Sequence, residues 1–297
     1  MATLRELKGR IGSVASSEKI TGAMKMISSA KMHKAESALH RLVPFRSQIE
    51  TIIGNVLGSD ATFSSPLVSE NAEVKRMAVI VWGSDDGLCG AYNVNICKRL
   101  AEYLRDLRSA LGATMIIDVM PVGKKITRIA DHLKENGVNV VAAPDGIDSK
   151  TDGTAVNEFM QTLVSEFLDG RYQRVDTLYM KFYSAGRQRP VASQLLPVLP
   201  QTFAEAGAGK ATGRPYLFEP DPNAIFNAVL PLFLMAVMQD IFTENRASEQ
   251  AARVMAMQSA NDNAKNLLED LQLEYNKLRQ QSITSELLDI VGGQARE

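Results

Sequence analysis

Cysteine, histidine, charge of one sign and long apolar runs are all scarce in this chain of 297 residues. Its two cysteines, Cys89 and Cys97, cannot make a disulfide framework, and their eight-residue spacing matches no metal-binding motif. Free thiols of this kind fit a reducing compartment. Three histidines offer no evident Ser-His-Asp or Cys-His grouping. His33 and His40, on a basic helix with no third ligand nearby, read as surface residues. A net charge of −1 gives no general pull toward nucleic acid. No apolar run reaches the ~20 residues of a membrane-spanning helix. The nearest, 224–238, contains Asn227 and Pro231 and reads as the start of a buried helix. The amino terminus has no apolar leader core, and Glu6 and Glu18 argue against a transit peptide.

Glycine and proline are rare in two long stretches, 1–57 and 223–291, and both read as helix. In the first, Leu4, Leu7, Ile11 and Val14 follow 3-4-3 spacing, the seam of a coiled coil. Met32, Ala35, Leu39 and Leu42 hold the same phase, as do Ile49, Ile53 and Val56. Between them Glu18, Thr21, Lys25 and Ser28 fall on the seam, while Ile20, Met24 and Ile27 form a displaced stripe, so a phase slip is expected there. In the second, Val254, Met257, Asn261, Ala264, Leu268, Leu271, Tyr275 and Leu278 repeat the spacing. Ile283, Leu287 and Ile290 continue it in a shifted register. Two end helices of this length bury both stripes most simply by lying antiparallel against each other. At 1.5 Å per residue the second spans about 100 Å, so part of the pair should protrude and need a partner. Residues 1–46 carry nine Lys/Arg against three acids, which suits an acidic partner surface.

The middle of the chain alternates strand and helix signals. The apolar run 77–82 reads as a buried parallel strand. Then follow helix 92–111, strand 114–119, helix 124–136, strand 138–142, helix 154–168 and strands 177–183 and 191–199. The last two are expected to form a hairpin joined by 185–190. Such alternation predicts a doubly wound, Rossmann-like α/β sheet. The expected division is therefore an N-terminal coiled-coil helix 1–57, an α/β domain 75–205, a flexible linker 206–222 and a C-terminal coiled-coil helix 223–291. The pair forms a shaft and the sheet domain a foot. Folds of the sheet class often bind nucleotides, but Gly83, Gly87 and Gly90 are spaced G-x-x-x-G-x-x-G. Asp85 and Asp86 would repel a phosphate there, so a tight turn with an Asp cap at the following helix is expected instead. The stretch 207–213 looks like a phosphate loop, but Ala204 replaces its first glycine and Ala211 its Ser/Thr.

Four blocks of residues carry a family resemblance. Ile20-Thr21-Gly22-Ala23-Met24-Lys25-Met26-Ile27-Ser28-Ser29-Ala30-Lys31-Met32 resembles the N-terminal block of the gamma subunit of rotary (F-type) ATP synthase. Ser84-Asp85-Asp86-Gly87-Leu88-Cys89-Gly90-Ala91-Tyr92-Asn93 resembles that family's central block. Ser248-Glu249-Gln250-Ala251-Ala252-Arg253-Val254-Met255-Ala256-Met257 and the stretch from Ile283 to Gly293 resemble its C-terminal blocks. The chain departs at Asp86, Ala91 and Gln294, where the family usually has Arg, Gly and Ala.

The resemblance implies a rotor shaft that couples proton-driven rotation of a membrane ring to ATP synthesis or hydrolysis elsewhere. It implies no catalytic residues, cofactor or metal in this chain. The implied partners are the alpha and beta subunits of the catalytic head, the epsilon subunit and the membrane c-ring. The implied location is the cytoplasmic face of the bacterial inner membrane, held there through the complex. Arg279 and Gln280 match the pair that engages a catch loop of the catalytic subunit; an Arg fork suits a carboxylate. Met24 and Lys25 lie where the family shaft passes an acidic loop of that subunit. Ile283, Thr284, Glu286 and Gly293 fall near the shaft tip. The residues alone leave two rivals open: an enzyme with its site in the sheet domain, and a helical scaffold for acidic partners. Neither accounts for the 283–293 block.

Overall fold

The computed structural model describes residues 3–58, 63–69, 74–112, 115–132, 138–143, 147, 153–199, 203 and 217–294, with side chains as far as Leu288. Its elements are α1 (Leu4–Leu57), β1 (Arg76–Trp82), α2 (Tyr92–Leu111), β2 (Ile116–Val122), α3 (Lys124–Ala130), β3 (Asn139–Val140), α4 (Gly153–Leu168), β4 (Arg174–Ser184), β5 (Arg187–Leu196) and α5 (Pro222–Gln294). Two compact units divide the chain, residues 1–29 with 253–297 and residues 30–252. Both divisions fall inside the long helices.

In the larger unit the strands run β3-β2-β1-β4-β5, parallel except for β5, which is antiparallel to β4. β1 shows why a continuous apolar run is needed. Ala78, Ile80 and Trp82 enter a core with α4, the end of α1 and the start of α5, while Met77, Val79 and Val81 enter a second core with α2 and α3. Helices thus cover both faces. α2 presents Tyr92, Ile96, Leu100, Leu104 and Leu107 to the sheet at helical spacing. Each such burial is worth about 1.5–3 kcal/mol. On the other face the Trp82 indole packs edge-on against Phe159 and Phe242, and its N–H donates to Thr177 Oγ1 at 3.0 Å.

α5 is long enough, and at its start apolar enough, to cross a membrane by length and composition alone. Here Phe226, Leu230, Phe233, Leu234 and Met238 are instead buried in the core. α1 and α5 run antiparallel within this unit. Lys31 to Ala38 face Thr243 to Gln250 across a cleft, Arg46 pairs with Asp240, and Ser64 beyond α1 accepts from Asn227.

At the amino ends of the strands two buried carboxylates are fully engaged. Asp118 accepts from Arg76, Asn139 and Tyr172, and Asp176 accepts from Arg174 and from Tyr103 at 2.6 Å. Burial pushes the Asp176 carboxyl up, and Arg174 and Tyr103 hold it back. These networks anchor strand register and leave no acceptor for a ligand.

Several element bounds differ from those expected. The β4–β5 hairpin turns on Ala185-Gly186 alone, and 187–190 continue the strand. Pro190 is tolerated because β5 has no further neighbour among the described residues, so no ladder N–H is lost. β2 runs on through Pro121 because its pairing with β3 stops at Val119. α3 ends at Ala130, followed by a 3₁₀ turn at 131–132.

The expected phase slip in α1 is absent. Ser28 on the polar seam is buried, while Ile20 and Ile27 of the displaced stripe are 58% and 56% exposed. In the smaller unit the seam is closed by a polar contact. Asn261 of α5, itself buried, donates to the Glu18 carbonyl at 2.7 Å and to Thr21 Oγ1 at 3.2 Å. Gly22 makes room: a Cβ there would lie 3.4 Å from Asn261 Nδ2. The shifted register expected from Ile283 onward is not inward-facing either, since Ile283 and Leu287 are both exposed.

Candidate functional site

Doubly wound sheets bind ligands at the carboxyl ends of their strands. In this chain that edge is taken by α5. The Asn245 amide donates to the Gly83 carbonyl at 3.3 Å, and its oxygen accepts from Tyr92 Oη at 2.7 Å and from the Met180 N–H at 3.2 Å. Ser248 Oγ donates to the Met180 carbonyl at 2.8 Å. The loop after β1 is equally closed. A Cβ on Gly83 would come within 2.4 Å of Ile126 Cβ.

Asp85 does cap a helix, but not the expected one. Ala91 stands at the N-cap of α2 without a side-chain cap, and Asp85 Oδ1 instead accepts from the Lys124 N–H, at the start of α3, at 2.8 Å. Its charge stands at the helix end where a phosphate would sit. The other glycine-rich stretch, 207–213, lies outside the described residues, as does most of the expected linker 206–222.

The remaining chemistry-bearing side chains do not converge. Cys89 is buried beside Ser84 and Asn93. Burial pushes the Cys97 thiol up to about 11, which makes it a poor nucleophile. His33 and His40 are exposed. Among the described residues no three His, Cys, Asp or Glu side chains are grouped to hold a metal ion.

What the structure offers outward is helix surface. Arg279, Gln280, Ile283, Thr284 and Glu286 are all exposed on α5, with Thr284 Oγ1 donating to the Gln280 carbonyl at 2.9 Å. Gln280, Thr284 and Leu288 line a shallow groove with Lys277, Gln281 and Ser285. Gly293 lies in the last turns of the same helix. Met24 and Lys25 are half-buried on α1, close to the Thr21–Asn261 contact. Arg279 is 18 residues beyond Asn261, about 27 Å along the helix axis. The two predicted contact pairs are therefore separate surfaces.

Exposed apolar side chains surround these surfaces: Ile20, Met26 and Ile27 on α1, and Leu273, Leu287 and Leu288 on α5. Their outward role was hidden in sequence, where the α1 members resemble a core stripe; the signal was the polar seam beside them. Leu88 was also missed. It is exposed and adopts φ of +62°, a conformation costly for a branched side chain. Asp86 lies in a cleft of about 320 Å³ with Lys31, Lys34 and Arg246, so its charge faces cations.

Paired long helices and a doubly wound sheet whose ligand edge is closed, with apolar side chains turned outward on the helices, define an α/β protein that offers helix surface. The family profile described as ATP synthase matches residues 3–295. The ATP synthase gamma chain of Phocaeicola vulgatus is 38% identical, with 99% of each chain covered. That of Bacteroides thetaiotaomicron is 36% identical with the same coverage. A solved rotor of Euglena gracilis mitochondrial ATP synthase shares the fold at a TM-score of 0.60 and 16% identity, covering 94% of this chain and 98% of that one. The chain belongs to the ATP synthase gamma chain family.

Proposed function

We propose that the chain is the central-stalk rotor subunit of a proton-transporting ATP synthase. The observation that carries this reading is the end-to-end match to gamma chains, with 99% of both chains covered. In this reading the paired helices form a coiled coil turning inside a ring of alpha and beta subunits, and the sheet-bearing unit engages the epsilon subunit and the c-ring. The chain then sits at the cytoplasmic face of the inner membrane through its partners. It performs no bond chemistry. It biases each catalytic subunit in turn by making different contacts with each of its conformers.

Arg279 and Gln280 are the proposed catch for the catalytic subunit. Their exposure leaves the guanidinium fork available for a carboxylate. Met24 and Lys25 are the proposed contact for its acidic loop. Ile283, Thr284, Glu286 and Gly293 are the proposed bearing surface, where the exposed Ile283, Leu287 and Leu288 suit an apolar sleeve. Reconstitution tests the reading: the purified chain should not hydrolyse ATP, yet should restore proton-coupled ATP synthesis to membranes lacking it. Sustained ATP turnover by the chain alone, or failure to restore coupling, would overturn it.

A further inference from the structure

One buried cluster in the larger unit has no part in the partner contacts proposed above. A cavity of about 390 Å³ opens between α1, α5 and the β4–β5 hairpin. Its walls mix apolar side chains, Val191, Val198, Phe233 and Val237 among them, with polar ones, and two acids of α5 line it, Asp240 and Glu244. They are one helical turn apart and so face the same space. Asp240 is 4% exposed, yet its Oδ1 has no hydrogen-bond partner, and Glu244 Oε2 has none either.

The neighbouring cations do not answer for these two oxygens. Arg46 is committed, its Nη1 to Asp240 Oδ2 at 3.1 Å and its Nε to Glu50 Oε1 at 2.8 Å. The Lys181 ammonium lies over the Tyr183 ring, 6.0 Å from its centre. Glu50, Asp240 and Glu244 against Arg46 and Lys181 leave one net negative charge. Burial, the largest cause for each, holds both α5 carboxyls above their ordinary range; the Glu50 charge adds to it at Asp240 and the Asp240 charge at Glu244, while Arg46 and Lys181 pull both back.

A buried carboxylate oxygen without a donor is destabilising unless something else gains from it. An apolar side formed by Val191, Val198, Phe233 and Val237, beside two acceptor oxygens without donors, matches one kind of guest: a flexible hydrocarbon stem with a cationic head. A hard metal ion would need six or more oxygens, and two cationic side chains already crowd the site.

We propose that this cavity receives a lysine or arginine side chain from a partner subunit, with Asp240 Oδ1 and Glu244 Oε2 accepting from its head. The proposal rests on the chain working in a complex, as the rotor reading has it. It adds a docking site on the sheet-bearing unit that the helix-surface contacts do not include.

The test uses the full chain in its assembled complex, with p-benzoylphenylalanine in place of Ser193, which lines the cavity. Irradiation and peptide mapping should capture one partner segment carrying a Lys or Arg within reach. Combining the probe with Asp240→Asn and Glu244→Gln should lower the yield about tenfold or more, while the isolated variant melts at the same temperature as the parent or higher. Melting of the isolated chain with MgCl₂ or CaCl₂ is the control. The proposal is overturned by a yield unchanged in the variant, by a captured segment without a basic residue, by no inter-chain product, or by a metal-induced shift that the two substitutions abolish. Absence of catalytic subunits from the purified complex would instead count against the rotor reading, whatever the probe captures.

Discussion

Replacing Asn261 separates two contributions to the smaller helical unit: the strength of the pair and the uniqueness of its register. Asn261→Ala removes the donors to the Glu18 carbonyl and Thr21 Oγ1. Neither acceptor is left bare. Thr21 Oγ1 still donates to the Ser17 and Glu18 carbonyls at 2.9 and 3.0 Å. The loss is therefore that of two net hydrogen bonds plus a small void, about 2 kcal/mol, without a further penalty for an orphaned group. Asn261→Leu should behave differently. A leucine fills the seam position with apolar surface and restores most of that stability, but removes the one contact that distinguishes this register from its neighbours. Hydrogen exchange over residues 10–28 reads both effects. The alanine variant should lose protection about thirtyfold there, with the β-sheet amides unchanged. The leucine variant should keep protection, yet show more than one disulfide pairing when cysteines are placed to trap alternative registers. A leucine variant that traps a single register, or an alanine variant with undiminished protection, would refute the role given to Asn261.

Four other outcomes are expected. Gly83→Ala drives a Cβ into Ile126 and should cost about 3 kcal/mol in thermal unfolding of the larger unit; a neutral result would mean the loop relaxes freely. Asn245→Ala orphans the buried Met180 N–H and should cost about 3 kcal/mol, seen as faster exchange at the carboxyl end of β4. For Asp240 and Glu244 the folded carboxyls titrate above their ordinary values of 3.8 and 4.5, so the folded state holds protons that the unfolded state releases. Their contribution is favourable below those values and is lost as pH rises through the folded ones, so Asp240→Asn with Glu244→Gln should become increasingly more stable than the parent over that window. A constant difference between the two proteins would contradict the assignment. Arg279→Ala with Gln280→Ala should leave the melting temperature of the isolated chain unchanged, because both side chains are exposed, while lowering ATP turnover of the assembled complex; equal losses in both measurements would make them structural.

The long helices and β1 were legible because one strong period or one apolar run decides each. β1 alternates between two buried faces, and no other element fits a run of that length bounded by glycine. The hairpin and β2 were less legible because Pro121 and Pro190 read as breaks. Only the pairing pattern shows that neither needs an N–H at its position. The seam around Ser28 was misread for a related reason. Sequence patterning assigns apolar residues inward, yet Ile20 and Ile27 face out while serine, threonine and asparagine close the pair. Inward apolar residues are the rule only where no partner awaits the outward ones. The contacts proposed from Arg279 onward rest on resemblance alone, since an exposed Arg and Gln on a helix carry no mark of their own.

The closure of the sheet's ligand edge has a mechanical consequence if the chain is a rotor. Apolar packing resists separation but has little direction, so a helix lying on a sheet by van der Waals contact alone can turn about its axis at small cost. Hydrogen bonds lose strength steeply with angle. Asn245 and Ser248 tie α5 to Gly83, Tyr92 and Met180, groups that belong to the loop after β1, the start of α2 and β4. A twist of α5 about its axis would break all of these together. The edge that other doubly wound folds keep open for a ligand is used here to fasten a helix rotationally to the sheet. An amide and a hydroxyl do this better than two more leucines would, because only they fix the angle.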